Sequence, residues 1–161
     1  MGKDLVVTLP SGRDLYYRRC RIESRVPRFA ARSGTHLEAR PTLVYHGPRG
    51  ETELFGGKIT ENLVQAICRD LLCCTLIRCE REGLPVVLHV HDEVVVQVKA
   101  ARAEEALHRL VAIMVRPPGW AVDFPILVEG FASPRYTKSP FKDWPSYKLA
   151  SADLAPGLVA V

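Results

Sequence analysis

Two valine-rich runs separated by three polar residues constrain this chain more than any other feature. Val86-Val87-Leu88-His89-Val90 and Val94-Val95-Val96-Gln97-Val98 flank His91-Asp92-Glu93. Their β-branched content favours strands, and the short break lets them pair as a hairpin. Both runs are apolar on either face, so they are expected to be two central strands buried on both sides. The connection is unusual. Tight hairpins prefer Asn-Gly or Asp-Gly because those residues accept positive φ at little cost, and His-Asp does not supply that chemistry. A sequence that breaks the local rule at one point is expected to gain something there. Adjacent carboxylates at a rigid strand junction make a hard-oxygen site suited to Mg²⁺, which takes one or two carboxylates plus phosphate oxygens. The plain alternative is an exposed tip whose His, Asp and Glu are merely solvated. A zinc or iron site from His89 and His91 would need a third ligand in register, and the chain has neither HxHxDH nor HxHxxxxE.

Around this hairpin the chain alternates strands and helices. Leu5 to Leu9 reads as a strand, Pro10-Ser11-Gly12 as a turn, and Asp14 to Tyr17 as a returning strand. Residues 23–40 have no clear period and are expected to be a loop or arm. Thr42 to His46 is another strand. The strongest helical signal runs from about Ile59 to Glu82, with Thr60 as a possible cap. Val64, Ile67, Leu71, Cys74 and Ile77 recur at three- and four-residue steps, which predicts that they form the buried stripe. Gly83 and Pro85 mark its end. Ala101 to Val115 is a second helix, with Leu107, Leu110, Val111 and Met114 on one face and Pro117-Pro118 beyond it. Residues 125–129 make a last strand, and 139–161 a weakly ordered tail. The sum is an α+β protein, an antiparallel sheet with a central hairpin covered by two long helices on one face.

With 161 residues and 47% hydrophobic content, the chain can bury one real core. It holds no run of 18 apolar residues, no secretory signal at its N-terminus, and Val6 where a myristoylation signal needs Ser or Thr. No membrane association is therefore expected. The net charge is +4, yet eight arginines lie between Ser11 and Arg40 against three acids, a local +5. Such a stretch can sit against a polyanion or remain a solvated loop. The five cysteines are odd in number and contain no CxxC pair. They read as reduced, packed thiols in a cytosol-like compartment. Cys68 and Cys79 lie about three helical turns apart, too far to share one zinc ion. Gly56-Gly57-Lys58 suggests a phosphate loop, but the spacing from Gly50 does not fit that motif. Those glycines are expected to permit a sharp turn into the helix, with Lys58 near its N-terminus beside any bound phosphate.

Several segments, taken in order, resemble the C-terminal palm of family A DNA polymerases, especially phage-type ones. They are Leu9-Pro10-Ser11-Gly12-Arg13 with Leu15 and Tyr17, then Phe55 to Ala66, Asp70-Leu71-Leu72, and Val87 to Val95. Trp120-Ala121, Pro125-Ile126, Glu129-Gly130-Phe131 and Pro134-Arg135-Tyr136 look like the end of those chains. The likeness covers about residues 5–138. His-Asp-Glu alone is a weak signal; with Glu-Asn-x-x-Gln-Ala about 30 residues ahead of it, the pattern is specific.

The resemblance implies that His91-Asp92-Glu93 is the third polymerase motif, with Asp92 one of two aspartates that hold two catalytic Mg²⁺ ions. Glu93 would support the metals or the primer end, and His91 would lie by the primer terminus. Gln65 would touch the minor groove of the primer–template, with Asn62 on the same helical side, and Arg13 would contact the duplex backbone. These roles suit an enzyme that must accept any sequence, since minor-groove acceptors occupy similar places in every correct pair and arginine–phosphate contacts carry no sequence choice. The family's first motif, an Asp-x-Ser-Gln-Ile-Glu-like segment, and its fingers helix have no counterpart in the chain. Residues 1–138 are therefore expected to be a partial, post-fingers palm domain, inactive alone. The chain would be either one half of a split enzyme, using dNTP once completed by a second polypeptide with the rest of the palm, the fingers and the thumb, or a truncated gene product, in a bacterial or phage-infected cytoplasm. Two other readings remain open: a non-catalytic duplex-DNA-binding remnant, and an unrelated metal-dependent phosphoesterase using His89, His91 and Asp92.

Overall fold

A computed structural model describes residues 2–26 and 38–154. Among these described residues, eight strands and two α-helices follow one another as β1 (Lys3–Thr8), β2 (Asp14–Arg25), β3 (Arg40–Gly47), β4 (Gly50–Leu54), α1 (Gly56–Arg81), β5 (Val86–Val90), β6 (Glu93–Val96), α2 (Ala103–Val115), β7 (Leu127–Phe131) and β8 (Ser146–Ala150). The expected α+β class is correct. The strands form three antiparallel sheets, however, in the orders β1-β2-β3-β4, β5-β6 and β7-β8. The chain divides into two compact units, Met1–Ile67 and Cys68–Val161.

In the first unit, the Leu9-to-Arg13 turn returns β2 along β1, with Leu9 N–H donating to Arg13 C=O at 2.8 Å. Strand β2 is twice as long as β1 because it runs past Cys20 to Arg25, into the stretch expected to be a loop. Its register shifts against both neighbours, and Arg19 adopts φ 53 inside that irregularity. Residues 27–37 of the expected arm lie outside the described residues. Strand β4, Gly50-Glu51-Thr52-Glu53-Leu54, carries one apolar side chain, Leu54, so its pattern is too weak to read from sequence. Leu9, Tyr17, Val44 and Leu54 form the buried interior, with the Tyr17 and Tyr45 rings edge to face at 5.2 Å.

Helix α1 begins three residues before Ile59. Phe55 C=O accepts the Ile59 N–H at 3.0 Å, and Gly56 and Gly57 are its first residues rather than a preceding turn. Thr60 lies inside the helix, its hydroxyl bonded back to Gly56 C=O at 3.0 Å, and is not a cap. The C-terminus behaves as expected. Gly83 takes φ 69, its N–H bonds Glu80 C=O at 3.1 Å, and Leu84 N–H bonds Cys79 C=O at 2.9 Å. Those paired bonds satisfy the last carbonyls through a left-handed residue.

The buried stripe of α1 is not the predicted one. Leu72, Thr75 and Cys79 are buried, while Val64 and Ile77 are more than half exposed. Apolar residues lie nearly all round this helix, so period alone could not select the face. In the second unit α2 is the central element. Ala106, Leu110 and Ile113 pack with Leu72, Cys79, Leu84 and Val94, and Leu107, Val111 and Val115 pack with Val128. The predicted single face of Leu107, Leu110 and Val111 is thus divided between two cores. Residues 146–150 of the expected tail supply β8, which pairs along all of β7 and sets Leu149 and Tyr147 against α2.

Candidate functional site

The hairpin forms where the valine runs predict it. Val90 pairs with Glu93, leaving His91 and Asp92 as a two-residue loop. The right-handed strand twist asks the first residue of such a loop for positive φ, and His91 adopts φ 52. His91 and Asp92 are exposed and Glu93 is half-buried. The strands are not buried on both sides. Val94 turns into the core, and Val87 and Leu88 are 55% and 41% exposed. A register shift between Val86 and Leu88 turns their side chains out of strict alternation.

Glu93 has partners that the sequence reading did not find. Its Oε2 accepts the Lys138 ammonium at 2.9 Å and the Tyr136 hydroxyl at 3.4 Å. The same ammonium lies 5.2 Å from the centre of the Tyr136 ring. The Tyr136 hydroxyl, and then Glu93, hold Lys138 above the ordinary lysine range. Contacts 43 and 45 residues apart leave no periodic trace, so only the fold reveals them. A cleft of about 890 Å³ is lined by β6, by α2 positions Ala103, Ala106, Leu107 and Leu110, by Gly130 to Lys138, and by Asp92 and Glu93. Among the described residues, no three of His, Cys, Asp and Glu stand close enough to hold one ion.

In the first unit, the residues expected at a duplex come together. Arg13, just after the β1–β2 turn, donates to Ala66 C=O on α1 at 3.1 Å. One turn earlier on the helix, Asn62 donates to the buried Tyr17 hydroxyl at 3.2 Å, which ties the helix to the sheet. Gln65 is exposed and reaches Glu61 at 3.4 Å, and Lys58 pairs with Glu61 at 3.0 Å. Lys58 thus has a carboxylate partner in the first turn of the helix.

Among the described residues, three arginines of the basic stretch have acidic partners. Arg18 pairs with Asp4, and Arg21 and Arg25 share Glu23 and Glu51. Glu23 is held below its usual carboxylate range by Arg25 and then Arg21, and Glu51 by Arg21 and then Arg25. Asp4 and Glu51 lie outside the window in which the charge was counted. Sheet pairing brings them back beside it.

The fold defines an α+β protein with an acidic hairpin tip in one unit and a polar helix face beside a turn arginine in the other. No family model and no solved structure matches the chain. The DNA polymerase of Bacillus phage SP02 is similar to it, 39% identical over 134 residues that make up 83% of this chain and 20% of that polymerase. The chain is thus related to a phage DNA polymerase and spans about a fifth of that relative's length. No helix among the described residues is long and apolar enough to cross a membrane.

Proposed function

We propose that the chain is the C-terminal palm segment of a family A DNA polymerase and contributes one carboxylate motif and the duplex contacts to template-directed nucleotidyl transfer. The observation that carries this reading is the exposed Asp92 carboxylate at a two-residue turn between valine strands, in a chain 39% identical to part of a phage DNA polymerase. Asp92, with the Lys138-bound Glu93 carboxylate beside it, fits a hard-oxygen ion that takes one or two carboxylates and fills its shell with phosphate oxygens and water. These two carboxylates do not suffice for two ions. A further carboxylate and the nucleotide-binding residues come from outside these 161 residues, on the same or a second polypeptide. Mg²⁺ bound there would supply charge stabilisation for the attacking and leaving oxygens of the phosphoryl group.

The chain's own residues hold and orient. Asp92 presents ligand oxygens, and His91 beside it faces the primer end. Gln65 reads the minor groove, and Asn62, held by Tyr17, keeps that helix face against the sheet. Arg13 and Lys58 meet the backbone phosphates of the primer–template. Exposed Val64, Ile77, Val87 and Leu88 support burial by further protein in the complete enzyme. Its place of action would be the cytoplasm of a bacterial or phage-infected cell.

Primer extension by the assembled enzyme tests the reading. Asp92→Ala should lower the rate by roughly a thousandfold or more, since a metal ligand contributes several kcal/mol to the transition state. Unchanged extension would remove Asp92 from the metal site. A second reading, duplex binding without catalysis, is favoured by the gathering of Arg13, Asn62 and Gln65 in one unit. Metal-independent DNA binding, with no extension by any assembly, would select it.

A further inference from the structure

The segment after β7 returns to the hairpin and grips it at one side chain. Glu93 is the first residue of β6 and pairs with Val90 across the turn, so fixing Glu93 fixes one end of the loop that carries Asp92. The loop is held in a conformation that a non-glycine residue keeps only under restraint, with His91 at φ 52. Lys138 and Tyr136 supply that restraint, through the 2.9 Å ion pair, the 3.4 Å hydroxyl contact and the ring beside the ammonium.

We infer that Lys138, seated on Tyr136, is a positioning residue for Asp92: it holds the neighbouring Glu93 carboxylate, so that the turn presents the Asp92 oxygens alone and in one orientation. The tether stands on the geometry of the second unit. Its meaning for catalysis rests on the proposed role of Asp92. The arrangement divides two adjacent carboxylates between two tasks. One is engaged by a fixed cation, and the other stays open to a divalent ion and to phosphate. The cation also places a positive charge one residue from Asp92, which weakens the tip's attraction for a bare ion.

Two measurements on the full chain test the tether and the reading separately. Amide hydrogen exchange from Val90 to Val94 should quicken about fivefold in Lys138→Met, the effect of losing an exposed ion pair. Lys138→Arg should restore the wild-type rate. The Lys138 side chain is 70% exposed, so neither variant disturbs a core. In parallel, Mn²⁺ should broaden the Asp92 amide resonance. Lys138→Met should tighten that binding on the order of tenfold, because the positive charge paired with the neighbouring Glu93 is lost and Glu93 is released as a ligand. Unchanged exchange in Lys138→Met, or failure of Lys138→Arg to rescue it, overturns the inference whatever Mn²⁺ does. Quickened exchange, with primer extension by the assembled enzyme unaffected by Asp92→Ala, upholds the tether and sinks the metal reading instead.

Discussion

Single side chains in this protein take their properties from where the backbone leaves them. Cys68 and Cys79 belong to one helix and one expectation, packed thiols. Cys68 is exposed and Cys79 fully buried. Burial, then the charges of Glu82 and Glu80, pushes the Cys79 thiol from 9.0 up to about 11. A folded chain that keeps this proton longer than the unfolded one loses stability as the pH rises through the interval between those values, and is insensitive below it. The melting temperature should therefore hold up to about pH 9 and fall towards pH 11, more steeply than in Cys79→Ala. Parallel slopes for the two proteins would show that the thiol is not kept dry. Asp92 is exposed, because a two-residue loop between paired strands has nowhere to bury a carboxylate.

Among the elements, α2 decides the second unit. It is covered on two sides, by α1 and the hairpin through Ala106, Leu110 and Ile113, and by β7 and β8 through Leu107 and Val111. Strand β7 crosses close to it at Gly130. A Cβ there would stand 2.9 Å from Leu107 Cδ1 and 3.1 Å from Val111 Cγ2. Gly130→Ala is expected to destabilise the fold by about 1–3 kcal/mol, the cost of overpacking a formed core. Denaturant unfolding would measure it, and an unchanged midpoint would show that the two side chains move aside freely. Gly83 has a different reason to be glycine, since its φ of 69 closes α1 and nothing stands within 4 Å of its would-be Cβ. The end of α1 was legible for that reason. Its buried face was not, because a helix apolar on most sides offers several equivalent stripes.

On the scale of the whole molecule, charge is arranged differently from its count along the chain. Three arginines of the basic stretch are paired by Asp4, Glu23 and Glu51, so the surface they form is a mixed network rather than a cationic strip. On the proposed duplex-binding reading, Arg13 is one of the backbone-phosphate contacts. Arg13→Ala is expected to reduce the slope of log affinity against log salt by about 1 and to weaken binding to all sequences alike. Gln65→Ala should weaken binding without changing that slope if, as proposed, it meets base edges. Filter binding across a salt series separates the two. Equal slopes for wild type and Arg13→Ala would take Arg13 off the backbone.

The sequence alone determined the hairpin with its acidic loop, the helix end at Gly83, the α+β class and the relation to a phage DNA polymerase. Each depends on neighbours within a few residues: β-branching, a left-handed glycine, a short loop. Tertiary structure decided which stripe of α1 is buried, that the strands separate into three sheets, that β8 forms from the expected tail, and that Lys138 and Tyr136 hold Glu93. Those outcomes depend on which surfaces meet after the chain has folded back on itself. A pairing over more than 40 residues is chosen by shape and charge in space, and leaves no period along the chain for a reader to find.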